Sequence, residues 1–280
     1  METGENFMPL SQTFLDGIKP ADRFLLAFPR SGSRWLCYLI TDLVNQWQGL
    51  DSTWYYRWRT SSKGGAAEMG PKTGLPFAEI VPDVHKPGGE PTSILEKLSG
   101  AALYRSHHLT EVLRRSEGKK VYMVRHPAAA ILSYHIVALE RGWLTPGVTL
   151  EEFTRWKLDL WVDHVQTILA YRRLHPSKCL FLTYQDDVPL TAAQLEASAT
   201  ALRIPFTSEG IQAALRRLQE HIEHLNSDAQ ALGLRGSNAK PLAHLPPALL
   251  ESIDATAAPL LAEVCQAEAE GLSFSSSRTA

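Results

Sequence analysis

Apolar side chains gather in four short runs: Phe24-Leu25-Leu26-Ala27-Phe28, Ala101-Ala102-Leu103-Tyr104, Val121-Tyr122-Met123-Val124 and Cys179-Leu180-Phe181-Leu182-Thr183. Each is too short for a helix and apolar at consecutive positions, the pattern of a strand buried on both faces. Between the runs the period changes. Leu36, Leu39, Ile40, Leu43, Val44 and Trp47 recur at helical spacing after the first run, and a helical pattern over 130–139 follows the third. Strand and helix alternate, which predicts an α/β fold: a single domain over 1–280 with a central parallel sheet flanked by helices.

The stretch 48–100 breaks this rhythm with Gly64-Gly65, Gly70-Pro71 and Pro87-Gly88-Gly89. It reads as a loop-rich insertion that forms a wall or lid over a site, with Trp54, Tyr55, Tyr56 and Trp58 available to line a pocket. A long helix is expected over 150–174, closed by His175-Pro176. Another is marked by the apolar face Ile211, Leu215, Leu218, Ile222 and Leu225. The serine-rich tail 273–280 is expected to fray.

Charge narrows the function. The chain has 280 residues, with 28 Lys+Arg against 30 Asp+Glu and a formal charge of −2, so no general basic field exists to hold nucleic acid. Cys37, Cys179 and Cys265 match no metal-ligand spacing. No basic start leads into an apolar core, and no stretch is apolar enough to span a bilayer. The expectation is a cytoplasmic protein in a reducing compartment, with no disulfide and no membrane partner.

Three segments carry chemistry. Pro29-Arg30-Ser31-Gly32-Ser33-Arg34-Trp35 follows the first strand and opens a helix. A tight turn there aims backbone N–H groups and the helix N-terminus at one point, a geometry that holds phosphate or sulfate. Ser31 and Ser33 add hydroxyls and Arg30 a cationic fork. In a Walker A loop, G-x-x-x-x-G-K-[ST], Gly32 could be the last glycine. Ala27, Ser33 and Arg34 stand where the first glycine, the lysine and the metal-binding hydroxyl belong, which disfavours an ATP-dependent and magnesium-dependent kinase or phosphotransferase.

The second segment, Tyr104-Arg105-Ser106-His107-His108, lies at the carboxyl end of a strand, where open α/β sheets bind ligands. A neutral imidazole there, with an ordinary pKa of about 6.5, can act as a general base. In the third, a strand delivers Arg125 before Pro127 opens a helix that brings back Ser133, a bidentate cation and a hydroxyl suited to a second phosphate.

In order and spacing, these motifs resemble those of the PAPS-dependent sulfotransferase family, PAPS being 3′-phosphoadenosine 5′-phosphosulfate. Leu180-Phe181-Leu182-Thr183-Tyr184-Gln185-Asp186 is similar to the family strand ending in Tyr-Glu-Asp, and Leu234-Arg235-Gly236 to its late phosphate loop. The resemblance implies a P-loop-like sulfotransferase fold that moves a sulfonate from PAPS to a hydroxyl or amine of a small-molecule acceptor, with no metal. It implies that residues 29–35 hold the 5′-phosphosulfate and that Arg30, in place of the family lysine, neutralises charge on the bridging oxygen. His107 would be the base, with adjacent His108 the other candidate. Arg125, Ser133, Arg235 and Gly236 would bind the 3′-phosphate, and Trp35 and Tyr184 would lie near the adenosine.

The chain departs from the family pattern at Arg34, where a second threonine is usual, at Arg105 in place of a lysine, at Gln185 in place of an acid, and in a late loop without its central lysine. Asp83, His85 and Glu90 in the insertion would suit a flat or cationic acceptor. A non-catalytic nucleotide-binding protein on the same fold is the remaining alternative, against which His107 and Arg30 argue.

Overall fold

In a computed structural model of the chain, residues 10–50, 74–75, 77–84, 93–107, 109–185, 190–231 and 245–276 are described. Four parallel strands, β1 (Arg23–Ala27), β2 (Leu103–Ser106), β3 (Lys120–Arg125) and β4 (Cys179–Tyr184), pair in the order β2-β1-β3-β4. All four strands are almost wholly buried, which is why they read as continuous apolar runs. β2 lies two residues later than its apolar run, so Arg105 and Ser106 belong to the strand.

The helices are α1 (Gln12–Gly17), α2 (Ser33–Trp47), α3 (Phe77–Ile80), α4 (Ile94–Ser99), α5 (Leu109–Arg115), α6 (Pro127–Glu140), α7 (Leu150–Leu174), α8 (Ala192–Ala201), α9 (Ser208–Ala231) and α10 (Pro247–Ser276). Alternation along the strands divides the core in two. Phe24, Leu26, Tyr122, Val124 and Phe181 face α6, α7 and α10, where Ile131, Trp161, Val165 and Val264 meet them. Leu25, Ala27, Val121, Met123 and Leu182 face α2, α8 and α9, against Leu36, Ile40, Leu195, Ile211 and Leu218. A capping box between Thr149 and Glu152 starts α7 at its expected residue. α10 continues through Ser276, into the stretch expected to fray, and residues 277–280 lie outside the described residues.

The strand order positions the site. From β1 the chain runs to β2 on one side, then crosses to β3 and β4 on the other. The carboxyl ends of β1 and β3 therefore flank the point where connections diverge, the place where open α/β sheets form a crevice. Buried Glu268 on α10 braces β4 beside it, accepting from the Thr183 amide at 3.0 Å, its Oγ1 at 2.6 Å and Gln194 Nε2 at 2.6 Å. Among the described residues, no helix is long and apolar enough to cross a membrane.

Candidate active site

The turn between β1 and α2 is built on two left-handed residues, Arg30 at φ 67° and Gly32 at φ 85°. Ser31 N donates to the Phe28 carbonyl at 3.2 Å and Trp35 N to the Gly32 carbonyl at 2.9 Å. A left-handed arginine is a strained conformation, of the kind that concentrates at ligand clamps. Gly32 is the N-cap of α2 and has no side chain with which to cap the helix. Its positive end is thus presented to an anion. The Ser31 hydroxyl is fully buried and has no hydrogen-bond partner among the described residues. A buried orphan hydroxyl beside an uncapped helix N-terminus fits a phosphate or sulfate oxygen.

Gly32 is required for a second reason. A Cβ added there would lie 2.6 Å from Tyr184 Cε2 and 2.7 Å from Cγ, so the tyrosine ring rests directly on the turn. The Arg125 guanidinium lies 5.3 Å from the centre of that ring, in cation–π range, and Arg125 is itself buried. Arg125 and Tyr184 are partners in the β3/β4 register, which fixes this stacking. One Arg125 nitrogen donates to the Arg30 carbonyl at 3.0 Å, and Arg30 Nε donates to Ser133 Oγ at 3.1 Å. Five expected site residues, Arg30 and Gly32 of the turn, Arg125 of β3, Tyr184 of β4 and Ser133 of α6, therefore converge at the crevice between β1 and β3.

His107 follows the last residue of β2. Its Nδ1 lies 2.7 Å from the Ala27 carbonyl, and a carbonyl only accepts, so Nδ1 carries the proton. In the neutral ring the lone pair is then on Nε2. The His107 carbonyl accepts from His164 Nε2 at 3.0 Å, and His164 Nδ1 accepts from the Tyr122 hydroxyl at 2.6 Å. Tyr122 is fully buried, and burial pushes its hydroxyl pKa up, so it stays a donor. His107 also lines a groove of about 310 Å³ with Thr110, Leu160, Asp163, His164 and Thr167.

Pro29 and Ser33 are buried in the turn, Arg34 is exposed, and Trp35 is half-buried edge-on to Tyr38 with ring centroids 5.5 Å apart. Arg235, Gly236, His108, Trp54, Tyr55, Tyr56, Trp58, His85, Glu90 and Asp186 lie outside the described residues. Asp83 corrects one expectation: it forms a buried ion pair with Arg105, each side chain only 10% exposed, and does not offer its charge to an acceptor. The isolated bridge between Asp83 and Arg105 beside β2 brings them together.

His164 and Tyr122 were not singled out by sequence. The available signal was a histidine between Trp161 and Val165 on a helix whose buried face is otherwise mostly apolar. Glu268 gave a comparable signal, a carboxylate on the buried side of α10.

A strand-to-helix turn at a parallel sheet's switch point, joined by a buried arginine and a serine from the next strand and helix, is the arrangement suited to phosphorylated or sulfated ligands. Residues 20–226 match the family described as the sulfotransferase domain, and the chain belongs to that family of sulfonate-transferring enzymes. The chain is 25% identical over 231 residues to human sulfotransferase 4A1, covering 77% of this chain and 72% of that protein.

Its fold is similar to that of mouse sulfotransferase SULT7A1 complexed with PAP, with a TM-score of 0.56 at 16% identity over 97% of this chain and 95% of the other. It is also similar to retinol dehydratase in complex with androsterone and the inactive cofactor PAP, with a TM-score of 0.52 at 15% identity over 87% and 81%.

Proposed function

We propose that the chain transfers a sulfonate from PAPS to a hydroxyl or amine of a small molecule by in-line displacement. One observation carries this reading: the uncapped turn meets Arg125 and Ser133 at the sheet's switch point, while His107 is hydrogen-bonded to Ala27, the last residue of the strand that feeds the turn. In the reaction the acceptor oxygen or nitrogen attacks sulfur, the bond from sulfur to the phosphate oxygen breaks, and 3′,5′-adenosine bisphosphate leaves. The acceptor proton goes to His107 Nε2. Its Nδ1–H, held by the Ala27 carbonyl, keeps the ring in the basic tautomer and favours the imidazolium as it forms.

The donor-site assignments combine this geometry with the family resemblance. Ser31, the Gly32 turn and the α2 N-terminus suit the 5′-phosphosulfate, and Arg30 meets the charge that builds on the bridging oxygen. Arg125 and Ser133 suit the 3′-phosphate; the family resemblance adds Arg235 and Gly236 to that role and assigns Trp35 and Tyr184 to the neighbourhood of the adenosine. No metal is needed by this chemistry. With Cys37 and Cys179 buried as small apolar side chains, a reducing compartment such as the cytoplasm completes the proposal. The androsterone held by retinol dehydratase supports a small-molecule acceptor.

Radiolabelled sulfonate transfer from PAPS to a panel of phenols, steroids and amines tests the reading. Arg30→Ala removes a charge-stabilising donor and lowers turnover by about 100- to 1000-fold. His107→Ala abolishes the base and keeps bisphosphate binding. Transfer undiminished in both variants would refute the assignment.

A further inference from the structure

The sheet ladder between β1 and β2 ends at the pair Leu26 and Ser106. His107 lies one residue beyond it, where regular strand pairing no longer fixes the backbone. Two side-chain hydrogen bonds continue the ladder there. The His107 ring donates to the carbonyl of Ala27, the residue that would form the next β1 pair, and the His107 carbonyl accepts from His164 on α7. His164 is fixed in turn. Its ring stacks on Tyr122 with centroids 5.5 Å apart and planes at 27°, and meets the edge of Phe28, which opens the anion turn, at 6.0 Å. Tyr122 is the β3 partner of Leu26 on β1.

From this geometry we infer that His164, oriented by Tyr122, is the positioning residue that fixes the main chain and ring tautomer of His107. The inference rests on the sulfotransferase reading for its catalytic meaning. The chain of donors has one consistent direction. Tyr122 O–H donates to His164 Nδ1, which requires the His164 proton on Nε2. That N–H donates to the His107 carbonyl, and the His107 ring donates its own Nδ1–H to the Ala27 carbonyl. Both ends of the relay terminate on the two central strands, β1 and β3. Nε2 of His107 therefore carries the lone pair that takes the acceptor proton. His164 is not itself the base and acts on the reaction through the main chain of His107.

The test compares the full-length chain with His164→Leu, His164→Gln and Tyr122→Phe. The Gln amide places an N–H donor near the position of Nε2, whereas Leu fills the space without one. Two-bond 1H–15N spectra of imidazole-labelled protein read the tautomers without any acceptor. His107 is expected to be a single Nδ1–H tautomer in the wild type and in His164→Gln, and a broadened mixture in His164→Leu. Tyr122→Phe is expected to release the fixed tautomer of His164.

With labelled PAPS and 2-naphthol as the probe acceptor, His164→Leu lowers kcat by about 100-fold, the loss expected for a misplaced base. Its KM for PAPS and its affinity for 3′,5′-adenosine bisphosphate stay unchanged, and His164→Gln recovers most of the loss. A sharp, unchanged His107 tautomer in His164→Leu overturns the inference whatever the turnover. So does a parallel loss of kcat and bisphosphate affinity that Gln does not recover, because that pattern marks simple packing. A wild type that neither binds the bisphosphate nor transfers sulfonate would sink the sulfotransferase reading, and the tautomer spectra would still decide the relay.

Discussion

Replacing Gly32 by alanine probes the contact on which the anion turn is built. Two costs add. At φ 85° an L side chain is strained by about 1–2 kcal/mol. The new Cβ would also lie 2.6–2.7 Å from Tyr184 ring atoms, so the ring must move away from both the turn and the Arg125 guanidinium. Losing that buried cation–π arrangement and its packing costs about 1–2 kcal/mol more. The sum, about 3 kcal/mol, corresponds to a drop in Tm of roughly 6–12 °C for a chain near this size.

Differential scanning calorimetry measures the loss, and titration with 3′,5′-adenosine bisphosphate measures the accompanying fall in affinity. A double-mutant cycle separates the two costs. In a Tyr184→Ala background the clash is gone, and Gly32→Ala should cost only the backbone strain, leaving a coupling energy of about 1–2 kcal/mol. A Gly32→Ala protein that melts and binds like wild type would refute the reasoning, as would an identical cost in both backgrounds.

Arg125→Ala should weaken 3′,5′-adenosine bisphosphate by about 10- to 150-fold, the worth of a charged hydrogen bond, while barely changing 5′-AMP; calorimetric Kd values for both ligands check this. Asp83→Ala leaves the buried Arg105 guanidinium without its carboxylate and should cost about 3–5 kcal/mol, read from urea unfolding. Lys120 is fully buried, with Nζ donating to the Ser116 and Gly118 carbonyls at 2.6 and 2.7 Å, and burial pulls its pKa down to about 8. The unfolded lysine, with a pKa of about 10.4, then binds more protons than the folded one between about pH 8 and 10. Wild-type stability should therefore rise relative to Lys120→Met across that window and run parallel to it below pH 8. Paired denaturation curves at pH 7, 8.5 and 10 reveal the slope or its absence.

The fold was legible where burial repeats along the chain. Doubly buried strands wrote four apolar runs, and His175-Pro176 marked the end of α7. α10 was not read because its acidic residues and Pro259 interrupt the apolar pattern, while its packing against β4 depends on distant residues such as Thr183. The site was legible where side-chain identity carries the chemistry, at Arg30, Ser31, Gly32, Arg125 and Ser133. The support of His107 was not, because it runs through the carbonyls of Ala27 and His107, which every residue type possesses. The pairing of Asp83 with Arg105 was equally hidden, since an irregular segment brings Asp83 beside β2 with no periodic signal in its neighbours.

The central claim, that this crevice is a PAPS site, meets its most direct test in calorimetric titration of the purified protein with 3′,5′-adenosine bisphosphate beside ATP with magnesium. Saturable one-to-one binding of the bisphosphate is expected, weakened in Arg125→Ala, with no comparable binding of ATP. Binding of magnesium ATP alone would contradict it.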